Sequence, residues 1–228
     1  MHFLRYSTTI KPLFITAMFT GITQEIGTIE EVQEKNGIKT FTIKAIQTTP
    51  KLNIGDSISV DGSCLTVIEK TQDQFKVEAI PETLRLTISG TYKKGTELNL
   101  EPAMQMTDRF HGHMVSGHVD FMGTVIDKKP EGDSQIFTIT YPHNFGKYFS
   151  LKGSVTLNGV SLTISKINDD SLEVSLIPHT LTHTNLHQLQ AQSKINVEID
   201  IIARYLESLL NAKEDESNYF FLQERGFI

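Results

Sequence analysis

Ser57-Ile58-Ser59-Val60-Asp61-Gly62-Ser63-Cys64-Leu65-Thr66-Val67 returns 97 positions later as Ser154-Val155-Thr156-Leu157-Asn158-Gly159-Val160-Ser161-Leu162-Thr163-Ile164. In both copies apolar residues bracket an Asx-Gly turn, followed by a short residue, Leu, Thr and a β-branched residue. The offset of 97 also carries Pro81-Glu82-Thr83-Leu84 onto Pro178-His179-Thr180-Leu181, and Leu98-Asn99-Leu100-Glu101 onto Ile195-Asn196-Val197-Glu198. Upstream the offset is 96: Gly21-Ile22 matches Gly117-His118, and Phe41-Thr42-Ile43 matches Phe137-Thr138-Ile139. A solenoid unit spans only about 20–50 residues, whereas a period this long suits a whole domain. The chain reads as two copies of one fold, with a single-residue insertion between the matched blocks.

Composition narrows the class. Of 228 residues, 39% are hydrophobic and 21% charged, the profile of an ordinary globular protein. A net charge of −6 argues against nucleic acid, whose phosphates call for a basic face. One cysteine cannot form an intramolecular disulfide, which fits a reducing cytoplasm. No apolar run reaches the roughly 18 residues of a membrane span.

Residues 1–17 match neither repeat. They carry Arg5 and Lys11 but no acidic residue, and lack the long apolar centre and cleavage site of a signal peptide. The reading is an extension, with the functional domain beginning at Met18. From there, β-rich runs fall at 26–32, 39–46, 57–60, 64–69, 74–80 and 96–100, separated by turns such as Asn36-Gly37 and Lys94-Gly95. This rhythm predicts a small antiparallel barrel, because closure removes exposed edges. A helical turn is expected over Pro81–Ile88. The fold class expected is all-β: two tandem homologous six-stranded antiparallel β-barrels, at 18–113 and 114–200, plus a C-terminal α-helix. In the last segment, 201–228, Ile201, Ile202, Tyr205, Leu206, Leu209 and Leu210 form one helical face. That helix either packs on its own barrels or meets other subunits.

Two homologous barrels offer two homologous pockets, suited to two copies of the same or a similar small ligand. The Gly of each signature is expected to let a ligand approach the backbone. Leu and Thr alternate, so one points to the core and the other to the pocket. Differences between the copies, Cys64 against Ser161, Glu82 against His179 and Ile22 against His118, mark which pocket does what. His113 and His118 have no Cys or carboxylate cluster beside them, so acid–base work fits better than metal binding. His111, His143, His183 and His187 read as solvated loop residues.

Six motifs in order resemble the riboflavin synthase family of the alpha-chain, lumazine-binding-repeat type. They are Met18-Phe19-Thr20-Gly21-Ile22, Gly62-Ser63-Cys64-Leu65-Thr66-Val67, Pro81-Glu82-Thr83-Leu84-Arg85, Gly112-His113-Met114-Val115-Ser116-Gly117-His118-Val119, Gly159-Val160-Ser161-Leu162-Thr163 and Ile177-Pro178-His179-Thr180-Leu181. The resemblance implies dismutation of two 6,7-dimethyl-8-ribityllumazine molecules by transfer of a four-carbon unit. The products would be riboflavin and 5-amino-6-(D-ribitylamino)uracil, with no metal and no cofactor. It implies a homotrimer gathered by the C-terminal helices, with sites between the first barrel of one subunit and the second of its neighbour, and it leaves room for association with lumazine synthase.

By the same resemblance, Ser57, Cys64, His113, His118 and Asp200 lie near the reacting carbons, and Phe19 near the ring. Ligand grips carry over to Gly21, Ile22 and Thr23; to Cys64, Leu65 and Thr66; to Glu78, Ala79, Ile80, Pro81, Glu82 and Thr83; and to Gly117, His118 and Val119. In the second half they carry over to Lys152, to Ser161, Leu162 and Thr163, and to Ser175, Leu176, Ile177, Pro178, His179 and Thr180. Two positions depart from the family pattern: His111, where a second Gly is common, and Ile88-Ser89, where Asn-Leu is usual. The alternative is a non-catalytic lumazine- or flavin-binding antenna protein on the same fold.

Overall fold

Three Asx-Gly pairs set the strand register. Asn36-Gly37, Asp61-Gly62 and Asn158-Gly159 hold both residues at positive φ, 54° and 78°, 45° and 82°, 44° and 77°. That is the backbone of a tight hairpin turn whose twist matches the flanking strands. Around them the computed structural model, which describes residues 17–211 and Gln223, folds into two closed six-stranded barrels. The expectations for residues 1–16 and for the tail beyond 211 otherwise lie outside the described residues.

The first barrel comprises β1 (Glu25–Lys35), β2 (Ile38–Lys44), β3 (Ser57–Val60), β4 (Ser63–Lys70), β5 (Gln74–Ala79) and β6 (Glu97–Pro102). The second comprises β7 (Phe121–Glu131), β8 (Ser134–Thr140), β9 (Ser154–Leu157), β10 (Val160–Ile167), β11 (Ser171–Leu176) and β12 (Lys194–Ile199). The ring order β1-β2-β5-β4-β3-β6 recurs in the second barrel, strand for strand. The extra residue of the second repeat falls in the connection 141–153, which answers 45–56. Register shifts recur at equivalent places, Ile29/Glu31 with Val125/Asp127 and Val67/Glu69 with Ile164/Lys166. Such bulges bend strands enough to close a barrel.

Alternation places every second side chain inside. Phe41, Ile43, Val67, Phe75, Val77, Leu98 and Leu100 fill the first barrel. Phe137, Ile139, Val155, Ile164, Val174, Ile195 and Val197 fill the second. Short helices α1 (Pro81–Leu86) and α2 (Pro178–His183) follow β5 and β11, each opened by a proline whose fixed φ suits the first helical position. His143 opens the 3-10 turn His143–Tyr148, His183 lies on α2 and His187 on the 3-10 turn Asn185–Gln188, so these three expected loop residues sit on helical turns while staying exposed.

The barrels meet turn to turn. A Cβ added at Gly62 would lie 2.8 Å from the Gly159 nitrogen, and one at Gly159 would lie 2.7 Å from the Gly62 nitrogen. The expectation that these glycines admit a ligand is therefore corrected: each admits the other's backbone. Around the contact, Asn99 N and the Asn185 side-chain amide donate to Asp61 Oδ1, both at 2.8 Å, and the Tyr92 hydroxyl donates to Oδ2 at 2.7 Å. Asn196 Nδ2 donates to the Asp61 carbonyl and Asn99 Nδ2 to that of Asn158, crossing the seam in both directions.

Helix α3 (Ile201–Asn211) docks on the second barrel through polar ends: Arg204 pairs with Asp120, and Glu207 accepts from Lys147 and the Tyr148 hydroxyl. Its Ile202, Tyr205, Leu206, Leu209 and Leu210 are 54–64% exposed.

Burial lifts the Asp61 carboxyl from 3.8 to about 7. The folded state therefore holds a proton that the unfolded chain releases, and stability is lost as pH rises from about 4 to about 7. Asp61→Asn keeps the acceptor for Asn99 and Asn185, turns its amide toward Tyr92, and copies Asn158. The variant is expected to lie within about 1 kcal/mol of the parent in denaturant titrations at pH 4.5, and to exceed it at pH 8 by on the order of a few kcal/mol. Parallel stability curves for the two proteins would contradict this.

Candidate active site

On β4 and β5, Val67 stands opposite Val77 and both point inward. One step away, Thr66 and Glu78 therefore share the outer face, and Cys64 lies on it two residues back. On β10 and β11, Ile164 opposite Val174 places Thr163, Ser175 and Ser161 likewise. Leu65 and Leu162 turn into their barrels, as do Ala79 and Leu176. These four can offer a ligand only main-chain atoms. Beyond the strand ends, Ile80, Pro81 and Glu82 rise as one exposed wall, and Ile177, Pro178 and His179 as its counterpart.

The opposite wall of each cradle comes from the segment leading into the other barrel. Thr20 N and Oγ1 donate to Glu101 Oε1, both at 2.7 Å, and Gly21 N to Oε2 at 3.0 Å. Ser116 N and Oγ donate to Glu198 Oε1 at 2.7 Å, and Gly117 N to Oε2 at 3.1 Å. The two segments pair with each other as well, Phe19 N donating to the Val115 carbonyl and Val115 N to that of Phe19. Each then crosses over. Ser161 N donates to the Gly21 carbonyl at 2.8 Å, and Cys64 N to the Gly117 carbonyl at 2.9 Å. Both glycines sit at φ +77°, and a Cβ at either would lie 2.6 Å from the Cβ of Ser161 or Cys64. Only glycine serves here.

The structure thus brings Gly117 against Cys64, and Gly21 against Ser161. Phe19 is fully buried in the seam and presents no ring to solvent. Lys152 lies in the turn before β9 at φ +66°, where the first repeat has Gly55 at +95°, and its side chain is exposed.

Half-buried Cys64 has the Ser57 hydroxyl as hydrogen-bond partner. Burial pushes its thiol above the ordinary range and outweighs that bond, so the thiol is protonated at neutral pH. His113 is 8% exposed and has both ring nitrogens engaged, Nδ1 with Ser161 Oγ at 2.7 Å and Nε2 with Thr156 Oγ1 at 3.1 Å. Burial holds its pKa low, while nearby Asp200 pulls it up. Asp200 also accepts from Ile202 N at 3.0 Å, at the head of α3. His118 is exposed and lines a cleft of about 470 Å³ with Leu86, Asp120, Arg204 and Tyr205. Sequence reasoning missed Glu101, Glu198, Thr156 and Asp120. The repeated Asn-x-Glu of β6 and β12 was the available signal for the first two.

Residues 20–103 and 116–200 each match the lumazine binding domain family. Riboflavin synthase of Bacillus subtilis is 39% identical over 215 residues, covering 92% of this chain and 100% of its own. That of Photobacterium leiognathi is 40% identical over 217 residues, with the same coverages, 92% and 100%. The enzyme of Schizosaccharomyces pombe is 37% identical, covering 86% of this chain and 95% of its own. Among solved structures, LumP complexed with 6,7-dimethyl-8-(1'-D-ribityl) lumazine superposes with a TM-score of 0.72 at 24% identity. It covers 79% of this chain and 98% of that one, a likeness of fold. Two lumazine-binding repeats, and full-length likeness to these enzymes, place the chain in the riboflavin synthase family.

Proposed function

We propose that the protein is a riboflavin synthase, converting two molecules of 6,7-dimethyl-8-ribityllumazine into riboflavin and 5-amino-6-(D-ribitylamino)uracil. The observation that carries this reading is the pair of equivalent cradles with unequal side chains, thiol in one and imidazole with hydroxyl in the other. Equal backbones suit two copies of one heterocycle. Unequal side chains suit a reaction in which one copy gives a four-carbon unit and the other takes it.

Protons on the lumazine 7-methyl group are acidic because the ring spreads the anion's charge, so juxtaposition is the main task. Proximity and orientation can supply on the order of 7–11 kcal/mol. The outward hydroxyls of Thr66 and Thr163 and the main-chain atoms of the cradles hold the heterocycle edges. The Ser161–His113 pair moves a proton in the second cradle. A neutral Cys64 thiol serves the first as a hydrogen-bond donor rather than as a nucleophile, since nucleophilic attack needs the thiolate.

The reading extends to a cytoplasmic homotrimer in which the first cradle of one subunit faces the second cradle of its neighbour. Supporting it, polar contacts hold α3 with its apolar side outward, an apolar patch of the kind that marks an interface.

Given only 6,7-dimethyl-8-ribityllumazine, the protein should produce riboflavin fluorescence with no added cofactor. Binding without conversion would leave the antenna reading. Cys64→Ser should cut kcat by about tenfold or more while KM and assembly stay put, and an unaltered kcat would take the thiol out of the chemistry. Ending the chain at Asp200 should give monomers with little activity in sedimentation and turnover measurements. A fully active monomer would refute the shared site.

A further inference from the structure

The second cradle contains a hydrogen-bonded trio that the first lacks. His113 stands between two hydroxyls, Ser161 Oγ at 2.7 Å and Thr156 Oγ1 at 3.1 Å. At the repeat offsets their counterparts are Ala17, Cys64 and Ser59, so the first half has no imidazole at this place. Thr156 is 1% exposed, on β9, in register with Ser161 of β10. It cannot reach a ligand on the outer face. What it can reach is the ring nitrogen that Ser161 leaves.

We propose that Thr156 is a positioning residue for the reaction: its hydroxyl grips His113 Nε2 and thereby sets which ring nitrogen carries the proton exchanged through Ser161 with the ligand. The proposal rests on the reading of His113 and Ser161 as site residues. Two neutral arrangements exist. If Thr156 donates to Nε2, the proton sits on Nδ1 and is donated to Ser161 Oγ, leaving the serine hydroxyl free to donate outward. If Nε2–H donates to Thr156, Nδ1 accepts from Ser161, and the serine oxygen faces the ligand as an acceptor. Once His113 takes a proton, both N–H groups find an oxygen, so Thr156 also favours the charged ring. Among the described residues, Asp200 at the head of α3 is the charged group that acts on this ring, and burial opposes it. Gly112 brings the imidazole in: at φ +70°, a Cβ there would lie 2.2 Å from the Thr20 carbonyl oxygen and 3.1 Å from Ser161 Oγ.

Thr156→Val keeps the side-chain shape and removes the hydroxyl. It should lower kcat about tenfold, leave KM for 6,7-dimethyl-8-ribityllumazine unchanged, and move the limb of the kcat–pH profile that reports His113 to lower pH. Thr156→Ser should restore both rate and profile, and nitrogen-15 shifts should show one ring tautomer in the parent protein and a changed distribution in the Val variant. A merely structural role would reduce thermal stability without moving the pH limb. If the Val variant does not fold, Thr156→Ala and the parent's tautomer signal carry the test. A parent His113 averaging over both tautomers, or a Val or Ala variant with the parental profile, overturns the proposal. A His113→Ala arm separates the two levels: parental turnover there removes His113 from the site altogether. Loss of turnover there, with Thr156→Val behaving as parent, removes only the role of Thr156.

Discussion

Two buried carboxylates hold the segments from which both cradles are built. Glu101 and Glu198 each take three main-chain and hydroxyl donors from the segment leading into their own barrel. Burial pushes both carboxyls above their ordinary range, and the donors offset part of that penalty. A buried acceptor left without donors costs about 1–3 kcal/mol, more when charged, so neither segment can leave its glutamate cheaply. Once held there, the segments have one way onward, across the seam to the other barrel's signature strand. The cradles are thus consequences of the seam. Rotating one barrel against the other would break Ser161–Gly21 and Cys64–Gly117 together.

The centre of the seam is polar for a related reason. Oil-like packing of two turn tips would tolerate slippage, whereas Asp61, Asn99, Asn158, Asn185 and Asn196 are satisfied only in one register. One departure from internal symmetry lies here. Asn185 sends its side chain to Asp61, while its counterpart Ile88 packs on the first core, yet both main-chain nitrogens donate to an Asn side chain of the partner barrel. Backbone symmetry survives because the seam needs it. Side-chain symmetry is free to break.

That distinction governs what was legible from residues alone. Strand positions, ring size and hairpin turns follow from local pattern: alternation, Asx-Gly pairs and a near-constant repeat offset. The outward placing of Thr66 and Thr163 followed from the same alternation. Gly62 and Gly159 were misread because a glycine signals close approach without naming what approaches, and that identity is a tertiary fact. Thr156 left no trace, since a threonine in a strand satisfies β-propensity with or without a task for its hydroxyl. His113 stood out as a histidine but not as one with both nitrogens occupied, which depends on strands that meet only after the barrel closes.

Helix α3 links the cradles to whatever lies outside the chain. It begins at Asp200, whose carboxylate receives the Ile202 amide and acts on His113. One turn on, Arg204 reaches Asp120, whose other oxygen accepts from Ile199 N at 2.8 Å and which stands two residues past His118. The helix is therefore tied by its polar side to the surroundings of both histidines. The same ties dictate which side remains outward, because a helix pinned through Arg204 and Glu207 must turn Leu206, Leu209 and Leu210 away from its own barrel. Its inner face thus steadies the proposed site groups while its outer face lacks a partner within the described residues, so on the proposed reading assembly and chemistry become mechanically one problem. On the proposed reading, a neighbour covering the apolar side would hold α3 down, and with it the frame from which His113 and His118 would act.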